Sequence, residues 1–370
     1  MCKSLSQCLT CSLHLHSVIM MTKCKYILFC LALCCSFNSQ ALTVEGLYEA
    51  EVPVPDQSAS NRKSGISAAL RSVLVKLTGD RNVFGKSSAI DIVKDAEKYV
   101  QQYEYRSKQV LTRGRNISEK QLHLWVSFNA RALNDSLRNY AIPVWGQERP
   151  STLVWLATKN DQRRKLITQD DETSYIEIIN QRATQRGIPL IYPLLDLEDT
   201  LVLKADDISE GYTDVVQQAS ARYNSDAILT GSIEPVQEGL WEGRWSVSLQ
   251  GQTSSWITRG DIPAVVLDEG IDSLADVLAQ RFAPAGSSTH DAIVEITVEG
   301  VNDYERYAKV SEYLASLTSV TDVRVKTAES DKVTFELLTQ GGEQAITQSI
   351  ELGNVIESTV GAGRFYRILP

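Results

Sequence analysis

The stretch "TLVWLA", residues 152–157, decides how the middle of this chain is read. It is an apolar strand, and the segments after it alternate. A helix is expected around Tyr175 to Arg186, "IPLIYPL" (188–194) is a strand, a helix runs from about Ser209 to Tyr223, and "AILTGSI" (227–233) is the next strand. Strands alternating with helices imply βαβ units and a largely parallel sheet. "EGLWEGRWSVSLQGQTSSW" (238–256) adds a hairpin, and Val265 to Phe282 reads as a closing helix. Residues 151–282 are thus expected to form an α/β domain.

Upstream, "GQERPS" (146–151) marks a boundary. Before it, Val44, Gly46, Tyr48, Ala50 and Val52 share one face of an expected strand. Ile66, Ala69, Leu70, Val73, Leu74 and Leu77 then recur at helical spacing, with Gly79 as the stop. Ser87 or Ser88 can cap a second helix. "YVQQYEYR" (99–106) and "QLHLWVSFN" (121–129) are strand-like, and Asn129 can cap a helix carrying Leu133, Leu137 and Tyr140. The order β-α-α-β-β-α gives a small α+β domain over residues 42–145.

Downstream, "APAGSSTHD" (283–291) is a linker by its Pro, Gly and Ser content. Strands Ala292–Val298, Val320–Lys326, Lys332–Leu338 and Arg364–Leu369 alternate with helices Tyr304–Leu317 and Glu343–Leu352. That β-α-β-β-α-β order is the ferredoxin-like split βαβ, placed at residues 291–370. The expected fold class is α+β and α/β, three small domains in series.

All seven cysteines fall by residue 35. Lys23 and Lys25 form a basic region, Tyr26 to Cys35 an apolar run, and Ser39-Gln40-Ala41 a small-residue cleavage pattern. Residues 1–41 are therefore expected to be a cleavable secretory signal peptide, with Met20 or Met21 as the true start. Ten apolar residues rise only about 15 Å as a helix, too short to span a bilayer. No cysteine there follows a small residue, so a lipid-anchored reading fits poorly. The expected location is periplasmic.

After Ala41 there is no cysteine and no methionine. Residues 1–41 hold three lysines and no acid, so the 37 basic and 46 acidic residues of the chain become 34 and 46. Such an acidic balance argues against nucleic acid as a partner, which needs a basic face. No later segment approaches transmembrane length. Only His123 and His290 remain, too few for a histidine metal site. No GxGxxG or GxxxxGK[ST] pattern follows a strand, so no nucleotide site and no cofactor is expected. Gly361-Ala362-Gly363 reads as the turn into the last strand.

Several stretches together carry a resemblance. "GLYEAEVPVPDQSASNRKSGISAALRSVLVKLTGDRNVF" (46–84), "YVQQYEYR", "LWVSFNARALNDSLRNYAIPVWGQERPSTLVWLA" (124–157), "SDAILTGSI" (225–233) and "GLWEGRWSV" (239–247) resemble an uncharacterised family of exported proteobacterial proteins, the domain-of-unknown-function family numbered 2066. The resemblance runs over essentially all of the chain after Leu42. It implies export and a three-part organisation, and no enzyme activity, cofactor or catalytic residue.

"KLTGDRNVFG" (76–85) is the most pointed local motif. Asp80 and Arg81, fixed at a helix end, could receive a partner. Equally, Gly79 is a C-cap, Asp80 a turn former and Arg81 an answer to helix-end carbonyls. Trp241 and Trp245 share the parity of Val247 and Leu249, which favours burial over an exposed platform. Asp170-Asp171-Glu172 and Glu177 suit the start of the following helix. Asp196, Glu198 and Asp199 follow a strand, where α/β ligand sites form.

The reading that results is a non-catalytic binding, adaptor or assembly factor docking an unknown envelope protein. Its candidate surface is Asp80, Arg81, Trp145 and Arg149. Two alternatives stand beside it. One is a carboxylate-dependent hydrolase of envelope glycans, which needs two facing acids. The other is a small-ligand binder with a pocket near Asp196 and Asp226.

Overall fold

A turn opens the described chain: Gly46 has φ 68°, and Glu49 N donates to Gly46 O at 3.2 Å. The first strand therefore starts later than its alternation suggests, as β1, Glu49–Pro53. Ser58 then caps α1, Ala59–Thr78, whose whole predicted apolar stripe from Ile66 to Leu77 is buried. Gly79 ends it in the left-handed region, its N–H returning to Val75 O at 2.9 Å. After α2, Ser87–Lys94, come β2, Val100–Leu111, and β3, Ser118–Phe128. Asn129 caps α3, Ala130–Asn139, by accepting from Ala132 N. The three strands form an antiparallel sheet in the order β1-β3-β2. Leu124, Val126 and Phe128 of β3 share a core with the α1 stripe.

The second sheet is built around β4, Thr152–Asn160. Residues 151–158 are all buried, because both faces of this strand are covered. β5, Arg163–Leu166, α4, Tyr175–Arg186, and β6, Leu190–Ile191, follow it. Three short helices come next: α5, Leu197–Val202, α6, Ala205–Glu210, and α7, Thr213–Ser220. β7, Ala227–Gln237, β8, Leu240–Leu249, β9, Gln252–Gly260, and α8, Pro263–Phe282, complete this layer. The path across the sheet is β5-β4-β7-β8-β9, with β6 also on β4. Only β6 and β7 run parallel to β4, so the sheet is mixed and not largely parallel. Helices α4 and α8 pack Ile179 and Leu267 against Val154, Leu156 and Trp245. On the opposite face, Leu203, Ile208 and Val216 cover Leu153, Trp155 and Ala157.

Two expectations fail here for physical reasons. "IPLIYPL" supplies only a two-residue strand, since Pro189 and Pro193 have no N–H for a ladder. The single helix from Ser209 to Tyr223 is instead parts of α6 and α7, separated at Gly211, φ 77°.

The third sheet contains β10, Ala292–Glu299, α9, Tyr304–Ser316, β11, Val320–Ala328, β12, Lys332–Thr339, α10, Gly342–Glu351, β13, Ile356–Ser358, and β14, Phe365–Ile368. The order is β11-β12-β10-β14-β13, with β10 parallel to β14. The short β13, unanticipated, hairpins onto β14.

The computed structural model describes residue 44 and residues 46–111, 118–160, 163–168, 175–282, 292–317, 319–339, 342–353, 355–359 and 364–369. The predicted leader, the linker 283–291 with His290, Asp170-Asp171-Glu172 and Gly361-Ala362-Gly363 lie outside them. The chain from Ala41 onward forms one compact unit. The described residues form a mixed α/β structure with three sheets. Among the described residues no helix is long and apolar enough to cross a membrane.

Candidate functional site

The end of α1 meets α4 and α8 through a group of six charges. Glu269, Asp272 and Asp276 recur at +3 and +7, placing them on one face of α8. Arg182 and Arg186 lie one turn apart on α4. Buried Arg186 donates to Asp272 Oδ1 at 2.8 Å, Asp276 Oδ1 at 2.7 Å and Gly79 O at 2.9 Å. Arg182 pairs with the other oxygen of Asp272. Arg81 reaches across to Asp276 at 2.6 Å and Glu269 at 3.1 Å. Burial pushes the Asp272 carboxyl up, but Arg182 and Arg186 outweigh that and hold it below its ordinary value. Each cation in this group is answered by a carboxylate.

These contacts settle where the four docking residues lie. Arg149, 2 % exposed, donates to Lys76 O at 2.6 Å, Arg186 O at 2.9 Å and Gly187 O at 3.1 Å. It also donates to Gly146 O and Trp145 O, and its guanidinium lies 4.1 Å over the Trp145 ring. Burial and nearby Arg186 lower its pKa to about 9, so it stays charged at neutral pH. Trp145 is likewise 2 % exposed, against Gly79. Arg81 is one-third exposed and fully engaged with α8. Asp80 is exposed, and its Oδ1 accepts from Asn82 N at 2.7 Å. The residues do converge in space, but as an internal joint. Trp145 and Arg149 are buried, where Arg149 answers carbonyls that end α1 and α4, while Asp80 and part of Arg81 stay at the surface.

The acidic loop after β6 is also braced. Arg222 grips Asp196 with two bonds of 2.9 Å and lies 3.3 Å from both Glu198 and Asp199. Asp199 is buried, accepting from Leu195 N at 2.9 Å and from Tyr223 Oη. Asp226 accepts from Ser151 N and Oγ, both at 2.7 Å, at the start of β7. Asp196 and Asp226 therefore serve different contacts rather than one pocket.

What this bracing holds in place is apolar. Leu195 adopts φ 51°, a left-handed conformation costly for a leucine. It turns Leu195 inward onto the core while Leu194 points out. Leu194, Leu197 and Leu201 are 70 %, 74 % and 73 % exposed; Leu197 and Leu201, four apart, form a ridge along α5, and Leu194 is exposed in the loop that leads into it. Sequence reasoning passed over this ridge. Its signal was "LLDLEDTLVL" (194–203), where five leucines crowd a stretch that can bury only some of them.

Beside α7 lies an open cleft of about 190 Å³. Ile208, Val216 and Ile228 form its apolar part, and Thr230, Ser246, Ser248, Thr253 and Ser255 give it hydroxyls. No charged side chain lines it. On the opposite face of the same strands, Trp245 is buried, its Nε1 donating to Thr258 Oγ1 at 2.9 Å. Trp241 and Trp256 are half-buried beside it. His123 stands on β3, 3.6 Å from Glu51. Among the described residues, no cluster of three or more His, Cys, Asp or Glu side chains is placed to hold a metal.

No curated protein matches the chain. Among solved structures, it is similar to the crystal structure of the Thermus thermophilus Protein Y N-terminal domain. The identity is 9 %, over 35 % of this chain and 94 % of that one. The TM-score is 0.19, and the likeness carries no argument. Residues 41–146 match a domain of unknown function, DUF8605. That match corrects the resemblance to the family numbered 2066: the region from Ala41 to the end of the first layer is similar to a different family, DUF8605.

Proposed function

We propose that this chain is an exported, periplasmic, non-catalytic binding protein, an adaptor or assembly factor that docks a partner's helix on the α5 ridge. The observation that carries the reading is the exposure of Leu197 and Leu201 on α5 and of Leu194 in the strained, heavily braced loop that leads into it. Rigid presentation of apolar side chains lowers the entropy lost on binding. Burying three leucines already about 30 % covered is worth about 4–5 kcal/mol before association costs. The partner's chemistry follows from charge. Residues 194–224 contain seven acids and two bases, and Glu198 stands exposed between the leucines. The occupant is a basic amphipathic helix, its apolar side on the ridge and its lysines or arginines toward Glu198 and the acids of α6. The last layer is taken, in the same reading, as a ferredoxin-like module extended by β13.

Titration calorimetry tests this with a synthetic leucine–lysine amphipathic peptide of four turns. Saturable binding, weakened at least tenfold by Leu197→Asp with Leu201→Asp, supports the reading. No saturable binding, or equal binding to the variant, rejects it. Both leucines are exposed, so the variant keeps its fold.

A second reading rests on the hydroxyl-lined cleft. Its lack of charge suits a small neutral polar ligand, and a ligand-dependent rise in Tm would mark one.

A further inference from the structure

The edges of the three sheets differ in how they are protected. A free edge strand offers unpaired N–H and C=O groups, and proteins blunt such edges by shortness, charge, proline or bulges. β1 has five residues and ends in Pro53. β2 is long but carries Glu104, Arg106 and Lys108. β5 has four residues, three of them Arg163, Arg164 and Lys165. β11 has two register shifts and carries Asp322, Arg324 and Lys326, and β13 has three residues. β9 has none of these devices. It runs nine residues with an unbroken register against β8, and its one charge, Arg259, sits near the far end on Glu242 at 2.8 Å.

The hairpin geometry fixes which groups β9 leaves free. Gln250 and Gly251, at φ 48° and 76°, make a two-residue turn closed by the pair Leu249 and Gln252. That pair is hydrogen-bonded, so Gln252, Ser254, Trp256, Thr258 and Gly260 direct their backbone groups at β8. The outward groups belong to Thr253, Ser255, Ile257 and Arg259. All four residues are exposed, Ile257 at 56 %.

We propose that β9 is the self-association edge of this protein: two copies pair β9 antiparallel about a two-fold axis at Trp256. In this register Ser255 lies opposite the partner's Ile257, and Thr253 opposite the partner's Arg259. The outward groups exchange about eight backbone hydrogen bonds. A second copy meets no charge conflict on this edge. The neutral run from Gln252 to Thr258 sets no like charges across the axis, and the two Arg259 side chains fall at opposite ends. The pairing joins two six-stranded sheets and satisfies a two-fold, isologous interface. A strand edge alone is smaller than a standard interface of about 1,600 Å², so the dimer is expected at micromolar concentration.

Sedimentation equilibrium of the chain from Ala41 onward tests the proposal. A concentration-dependent dimer is expected. Ser255→Pro removes an outward N–H and one exposed hydroxyl bond, from Ser255 Oγ to Ser246 Oγ at 3.2 Å, and Ile257→Lys adds a charge to the edge, so both are expected to give monomers with Tm little changed. Because no cysteine follows Cys35, mixing Ser255→Cys with Ile257→Cys chains reports the register by disulfide formation. A wild-type chain that stays monomeric at about 200 µM, a dimer that survives both variants, or mixed chains that fail to crosslink would each overturn the proposal.

Discussion

Arg149→Met separates a docking residue from a structural joint. The substitution keeps much of the side-chain volume while removing every donor. Five carbonyls lose their bonds to it, on Lys76, Trp145, Gly146, Arg186 and Gly187. The first ends α1 and two others end α4, so the loss falls where helix carbonyls have no other partner. An unsatisfied buried carbonyl costs about 1–3 kcal/mol. The variant no longer desolvates a cation, which offsets part of that sum, and breaking such a buried set is expected to cost about 3–5 kcal/mol. Arg149→Lys should recover little, since an ammonium cannot reproduce the forked contacts at 2.6–3.1 Å. Urea unfolding followed by circular dichroism measures this directly. A loss below about 1 kcal/mol, closer to the scale of ordinary surface substitutions, would refute the claim that Arg149 holds the joint together.

Gly79→Ala should destabilise by about 2–5 kcal/mol, combining left-handed strain with overpacking; its added Cβ would stand 2.5 Å from Ala279 Cβ and 2.9 Å from Trp145 Cε3. The same unfolding assay checks it. Asp272, held below its ordinary 3.8, contributes stability that is present above pH 4 and lost as pH falls through its folded value. Asp272→Asn should flatten the acid limb of a Tm-against-pH curve. Lys76 donates to Gly46 O and Glu49 O from a buried position, and burial, with the Arg149 charge, lowers its pKa from 10.5 to about 8. Unfolding then binds a proton between about pH 8 and 10.5, so this group makes stability rise across that window. Carbon NMR of the lysine side chains should show one resonance titrating near pH 8.

Periodicity made the fold largely legible. The α1 stripe is buried from Ile66 to Leu77, α4 spans Tyr175 to Arg186 as expected, and α8 ends at Phe282. These elements are long, and their apolar spacing has one solution. Short elements were not legible: β13 and α5 have three and six residues, too few for a period to register. The Asp80–Arg81 motif drew notice for a sound reason, a charged pair at a fixed helix end. Its partners on α8 lie some 190 residues away, a distance local reasoning does not cross. Trp145 and Arg149 looked like surface because they flank a boundary, yet a boundary between packed layers is interior. The α5 ridge was missed for the converse reason. Leucine ordinarily implies core, and nothing local says that Leu195 turns in while Leu194 stays out.

Hydrogen exchange of the chain with and without the leucine–lysine peptide bears most directly on the proposed docking surface. The account predicts slowed exchange confined to residues 194–203 and the adjoining start of α6, abolished in the Leu197→Asp, Leu201→Asp variant. Protection appearing on another surface, or none at saturating peptide, would contradict it.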